Sequence, residues 1–207
     1  MAKPFRIAVL VSGSGTNLQA LIDTVHGADV EIACVAASRP DAPALERAQR
    51  AGVETDVFAE ESYGGRDARD AAMAGWLEQR DVQLVVLAGW MELLGPPFVR
   101  RFAGRIINVH PSLLPAFPGL HSIEKALRYG VKATGVTVHF VDEGVDSGAI
   151  VLQEALGLSY PAAIADIEER VHAVEHRLLP RAVRLIAEGR VRLDAENPRV
   201  VLIDDVD

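Results

Sequence analysis

Phe5-Arg6-Ile7-Ala8-Val9-Leu10-Val11-Ser12-Gly13-Ser14-Gly15-Thr16-Asn17-Leu18 runs from a short apolar stretch through a glycine turn into a helical pattern. The apolar part suits a buried strand and is too short for a signal-peptide core or a bilayer span. Gly13 and Gly15 lead into helical periodicity near 16–26, which leaves unbonded backbone N–H groups at a helix N-terminus, a geometry that favours an anion. Leu18 stands where the third glycine of a dinucleotide fingerprint belongs, and no Walker lysine follows. A phosphate is therefore expected rather than a dinucleotide. A tight βα turn is the plain alternative, and Thr16 and Asn17 suit helix capping as well as phosphate binding.

Outward from this stretch, apolar runs at 31–37, 55–58, 84–88 and 105–109 alternate with helical patterns at 41–51 and 66–79. That alternation predicts an α/β fold: a mostly parallel twisted sheet with helices on both faces, Rossmann-like in its N-terminal half, its last strands antiparallel. Pro111, Pro115, Pro118 and Gly119 then impose a loop. A helix at 121–129, a β-branched strand at 134–141 and a neighbouring strand at 148–157 follow. A long amphipathic helix at 161–187 carries Ile164, Ile167, Val171, Val174, Leu178 and Leu179 on one face, with a break or kink expected at Pro180. The tail offers one more short strand before acidic residues expected to fray. No repeat or linker interrupts 1–207, so one domain is expected, with halves at 1–110 and 111–207.

The chain has 207 residues, 49% hydrophobic and 24% charged, enough for one hydrophobic core. Its net charge of -8 and lack of a basic stripe argue against nucleic acid as a partner. Cys34 is the sole cysteine, so no internal disulfide forms, and a reducing, cytoplasmic setting is expected, with no membrane attachment. His172 and His176 lie one helical turn apart without the further ligands of a zinc motif, so no metal is expected. The oligomeric state stays open, a homodimer included.

Asn108 and His110 end an apolar strand two positions apart, so alternation puts both side chains on one face, where ligands of open α/β sheets bind. Imidazole moves protons near neutral pH, and a carboxamide hydrogen-bonds a developing oxyanion. An isolated pair of this kind also serves simply to cap a strand end. Asp142, Glu143 and Asp146 follow in a turn-rich segment, and a carboxylate beside His110 is expected to favour its imidazolium form. Ser12 and Ser14 lack a nucleophile elbow, and Cys34 sits in a buried strand, so covalent catalysis is not indicated.

Asn108-Val109-His110-Pro111-Ser112-Leu113-Leu114-Pro115, then Phe117-Pro118-Gly119-Leu120-His121, then the Asp146 loop, resemble the folate-dependent formyltransferases. Within that family, the segment Ser12 to Gln19 is similar to the branch that formylates glycinamide ribonucleotide in purine biosynthesis. The branch that formylates methionyl-tRNA is longer and carries a further domain. The deformylase branch bears a domain ahead of the first strand, whereas here that strand begins at Phe5; neither branch is expected. The resemblance implies catalytic roles for Asn108, His110 and Asp146. It implies ribonucleotide contacts at Gly15, Thr16, Asn17, His172, Ala173, Val174 and Glu175. It places the co-substrate, 10-formyltetrahydrofolate, against Arg66, Met91, Glu92, Leu93, Leu94, Asn108, Asp142, Glu143, Gly144, Val145 and Asp146. Glu92 stands where the family carries an arginine; a carboxylate cannot pair with those of folate, so a backbone contact is expected there. The rivals are formyl transfer to a nucleotide-linked amino sugar and a non-catalytic folate- or phosphate-binding module.

Overall fold

A computed structural model gives the protein's structure and describes residues 3–204. The expected fraying at the acidic end falls largely on 205–207, outside the described residues. Among the described residues, seven strands form one sheet, ordered third, second, first, fourth, fifth, sixth and seventh by their place in the chain, and two further strands form a separate pair. The fold is α/β with a mostly parallel sheet and an antiparallel end, as the alternation of apolar runs and helices requires. The chain divides between Ile107 and Asn108 into two compact units.

In the first unit, β1 (Phe5–Val11), β2 (Val30–Ala37), β3 (Glu54–Val57) and β4 (Leu84–Leu87) pair in parallel, β1 lying between β2 and β4. Ile7 through Val11 have no exposed surface, the continuous burial of a strand covered on both faces. The connecting helices are α1 (Thr16–Thr24), α2 (Ala44–Arg50) and α3 (Arg66–Glu78). A fourth, α4 (Pro96–Arg101), was not expected from the sequence, because Pro96 and Pro97 read as breakers. They occupy the first turn, where the missing N–H groups have no intrahelical partner to lose. A strand β5 (Ile106–His110) follows.

In the second unit, α5 (Ser122–Tyr129) precedes an antiparallel pair, β6 (Ala133–Phe140) and β7 (Ile150–Gly157). The helix α6 (Ile164–Ala187) packs on both strands. Its buried stripe of Ile167, Val171, Val174, Leu178, Leu179, Ala182 and Val183 explains why it persists through Pro180 without the expected break. Each large aliphatic side chain buried there contributes about 1.5–3 kcal/mol, which offsets the ~3 kcal/mol cost of an interior proline. The tail forms two strands rather than one, β8 (Val191–Leu193) and β9 (Val201–Ile203). Asp194 Oδ1 accepts the backbone N–H groups of Glu196 and Asn197 at 2.9 and 2.8 Å and closes the turn between them.

Candidate active site

The site of the second unit is built on the loop that follows β5. Thr137 of β6, wholly buried, donates its hydroxyl to Ser112 O at 2.7 Å and accepts Leu114 N–H at 3.1 Å. Gln153 of β7 donates to Leu114 O at 2.8 Å and to Thr137 Oγ1 at 2.9 Å. Gly135 makes room for this seat: a Cβ there would lie 2.1 Å from Glu154 O and 2.6 Å from Leu113 Cδ2. The proline-rich loop is thus tied to the strands beneath it and holds its shape without secondary structure of its own.

Asn108, His110 and Asp146, distant in the chain, converge against this loop. His110 is 5% exposed; its Nε2 lies 3.0 Å from Phe117 O and its Nδ1 3.4 Å from Asp146 Oδ2. Asn108 Nδ2 lies 3.4 Å from Asp146 Oδ1 and 3.3 Å from His139 Nε2. Asp146 Oδ2 also accepts the Gly119 N–H at 2.7 Å. A fourth polar group therefore belongs to the cluster, His139, whose Nε2 is 3.6 Å from Asp146 Oδ1. Its Nδ1 donates to Phe140 O at 2.8 Å, which fixes the ring with Nε2 turned toward Asn108 and Asp146. His139 was not singled out from the sequence. The available signal was its alternation with Thr137 on β6, which puts both on the face that meets the loop.

Burial alone would raise the Asp146 carboxyl. Hydrogen bonds from His139 and the Gly119 amide, with the charges of His110 and His139, outweigh it and hold the group at about 2, from an ordinary 3.8. Burial pushes His110 below its ordinary 6.5. The Phe117 carbonyl and the Asp146 charge work upward, while His139 and Lys125 add to the lowering. The expected imidazolium is thus supported by Asp146 but not dominant, because desolvation of the ring is the larger effect. The resting arrangement is an anionic Asp146 beside a mostly neutral His110, a base ready to take a proton near neutral pH.

Asp146 sits on the 141–148 loop and adopts φ 50°, a left-handed conformation that Asp and Asn enter more readily than most residues. Asp142 Oδ1 accepts the Gly144 N–H at 3.0 Å and the Ser147 hydroxyl at 2.6 Å and so closes the loop. Glu143, Gly144 and Val145 are exposed at its tip.

In the first unit, the glycine turn matches its expected geometry. Gly15 caps α1 with φ 72°, and a Cβ there would lie 2.6 Å from Ala44 Cβ. The first turn of α1 holds no acidic residue, and no side chain caps it. Thr16 is half-buried at this end and Asn17 is buried. Arg47 of α2 donates to Ser14 O at 2.8 Å and steadies the turn.

The same unit contains a cavity of about 630 Å³, lined among others by Glu60, Arg66, Asp67, Met91, Glu92 and Leu93. Met91 and Leu93 are 64% and 62% exposed beside it, and Leu94 is half-buried. On α6, His172 and Ala173 are exposed, Glu175 is 5% exposed, and Val174 lies in the apolar stripe. Any contact from Val174 would have to come from its backbone. Among the described residues, no cluster of three or more His, Cys, Asp or Glu side chains is placed to hold a metal ion. No helix among them is long and apolar enough to cross a membrane.

A mostly parallel α/β sheet with carboxamide, imidazole and carboxylate gathered at a strand end can stabilise an oxyanion and move a proton, the needs of an acyl-transfer class. The family model for formyl transferases matches residues 5–183, and the chain belongs to that family. Among curated relatives, phosphoribosylglycinamide formyltransferase of Haemophilus influenzae is 43% identical over 190 residues, covering 91% of this chain and 90% of the relative. The trifunctional purine biosynthetic protein adenosine-3 of Homo sapiens is 42% identical over 205 residues, covering 98% of this chain and 20% of the relative. Among solved structures, glycinamide ribonucleotide transformylase 1 of Symbiobacterium toebii superposes with a TM-score of 0.93 at 47% identity, covering 98% of this chain and 95% of that one.

Proposed function

We propose that the protein transfers the formyl group of 10-formyltetrahydrofolate to the amine of glycinamide ribonucleotide, a step of purine biosynthesis, and that residues 1–207 act as one formyltransferase domain. The observation that carries this reading is the convergence of Asn108, His110 and Asp146 at hydrogen-bonding or ion-pair distance. The names of its relatives support the acceptor. The amine attacks the formyl carbon, and the carbonyl oxygen becomes an oxyanion. Asn108 Nδ2 makes only long contacts, 3.4 Å to Asp146 Oδ1 and 3.3 Å to His139 Nε2, and an N–H turns from one of them to donate to that oxyanion. His110 takes up the proton that the amine sheds and, as imidazolium, stabilises the same oxygen; Asp146 holds the ring and favours its charged form. Collapse of the intermediate breaks the bond from carbon to the folate nitrogen, which takes a proton from the His110 imidazolium as it leaves and returns the ring to its neutral form. Holding donor and acceptor together supplies the proximity advantage.

Gly15, Thr16 and Asn17 fit the phosphate of the ribonucleotide through the uncapped N-terminus of α1, with His172, Ala173, Val174 and Glu175 as its further contacts. Arg66, Met91, Glu92 and Leu93, which line the cavity, meet the folate together with Leu94, Asn108 and 142–146. Small molecules are the partners; no nucleic acid, membrane or metal takes part, and the reaction runs in the cytoplasm.

The test is formyl transfer by the purified chain from 10-formyltetrahydrofolate, followed by the appearance of tetrahydrofolate, with glycinamide ribonucleotide and a nucleotide-linked amino sugar as competing acceptors. Preference for the amino sugar would overturn the acceptor. Tight folate binding with no transfer to either would leave a binding module.

A further inference from the structure

Arg69, on the first turn of α3, has no exposed surface. Its guanidinium is held by Asp70 Oδ1, which accepts Nε at 2.9 Å and Nη2 at 2.7 Å, and by Leu93 O, which accepts Nη2 at 2.9 Å. The Trp90 ring lies 5.6 Å away. Nη1 makes no hydrogen bond, yet Glu60 and Glu92 hold carboxylate oxygens 3.6 and 3.7 Å from it. The other oxygen of Asp70 accepts the Gly95 N–H at 2.6 Å, and Ser12 Oγ accepts the Met91 N–H at 2.9 Å. The stretch 91–95 is therefore tied through its backbone at its start, middle and end. Its apolar side chains, Met91 and Leu93, stay exposed beside the cavity.

A buried cation is costly to install, and a group needed only for stability is often replaced by apolar packing without loss. Here the guanidinium does two things that apolar packing cannot. It fixes a backbone carbonyl of the cavity wall, and it sets a positive charge behind Glu92 at the cavity's edge. A free carboxylate at that edge would repel an anionic ligand; one facing Arg69 is compensated.

We propose that Arg69 is a positioning residue for the formyl donor: it holds residues 91–95 in the shape that receives the folate, and the Glu92 side chain is its partner, which leaves only the Glu92 backbone to meet the donor. This rests on the reading that this segment meets the folate. Arg69→Gln removes the bracket and raises the KM for 10-formyltetrahydrofolate roughly tenfold, a change worth about 1.4 kcal/mol, while the KM for glycinamide ribonucleotide moves far less. Arg69→Lys keeps the charge but not the fork and falls between the two. Should Arg69→Gln fail to fold, Glu92→Gln carries the test, since its side chain is 45% exposed. That variant leaves the Arg69 charge uncompensated at the cavity's edge and lowers the donor KM, whereas loss of a direct Glu92 contact to the donor would raise it.

Amide exchange adds a readout independent of turnover: Gly95 exchanges faster in Arg69→Gln than in the parent. Direct titration with tetrahydrofolate gives the same order of affinities whether or not glycinamide ribonucleotide is the acceptor, so failure of the acceptor assignment is seen separately. Three results would each overturn the proposal: both KM values rising in parallel, a lysine variant no better than the glutamine one, or a Glu92→Gln donor KM that rises or stays unchanged.

Discussion

Replacing Asp146 with asparagine keeps the shape of the side chain and removes its charge, so it isolates what the carboxylate does. In the folded protein the carboxyl is held at about 2, against an ordinary 3.8, and its side chain is 13% exposed. The difference corresponds to about 2 kcal/mol of folding free energy. A depressed acid binds fewer protons folded than unfolded. Its contribution is therefore complete above about pH 4 and drains away as the pH falls toward 2. His110 acts in the same direction at higher pH: burial holds it below 6.5, so charging the ring on acidification from about that pH also costs stability. In Asp146→Asn the ring loses its anionic neighbour, and that higher-pH loss becomes steeper. Denaturant unfolding at pH steps from 7 to 2, followed by circular dichroism, measures both windows. The stability gap between parent and variant widens from pH 7 to 5, then closes by about 2 kcal/mol between pH 4 and 2. Parallel curves below pH 5 would refute the reasoning, because they would mean that the Gly119 amide and the two imidazoles do not hold the carboxylate.

Activity and stability give further checks. His110→Ala and Asn108→Ala each lower kcat by roughly 10²–10³-fold with folding intact, and the double variant loses far less than the product; steady-state kinetics with circular dichroism decides, and near-normal turnover in either single variant removes that role. Thr16→Ala raises the KM for the phosphorylated acceptor roughly tenfold with less change in kcat, and a fall in kcat alone contradicts a phosphate contact. Gly15→Ala forces a Cβ against Ala44 at φ 72°, so thermal or denaturant unfolding shows a loss of about 2–4 kcal/mol. Leu179→Ala in the wholly buried stripe of α6 destabilises by about 2–5 kcal/mol while kcat of the folded enzyme is kept.

The strands of the first unit were legible because a parallel strand buried on both faces leaves an uninterrupted apolar run, as 5–11 does. The glycine turn was legible because Gly15 meets both a positive φ and a close neighbour, two demands that only glycine satisfies. What escaped was set by context rather than by local pattern. The helix α4 was hidden by prolines whose harm depends on position within a helix, and the second strand of the tail by a turn that Asp194 closes through its side chain. His139 was hidden by its strand: in an alternating β-branched run a histidine reads as one more inward residue, and nothing local says that the 141–148 loop folds back over it.

The same contrast explains why the reactive trio was visible while its supports were not. Asn108, His110 and Asp146 are chemically capable residues at a strand end and a turn, where ordinary packing gives them little reason to be. Thr137, Gln153, His139 and Gly119 hold them, yet each is individually unremarkable as a strand or loop residue, and its role exists only once β6, β7 and the proline loop are assembled. These supports decide the protonation states. Without the Gly119 amide and His139, burial would raise Asp146, and a neutral acid would give His110 no charge to lean on. His139→Ala should therefore shift the pH profile of kcat/KM and not merely lower its height, whereas a variant such as Leu179→Ala, which only loosens packing, should leave the profile's midpoint where it is. An unshifted midpoint in His139→Ala would mean that Asp146 keeps its charge without this neighbour and that the ring serves only to fill space.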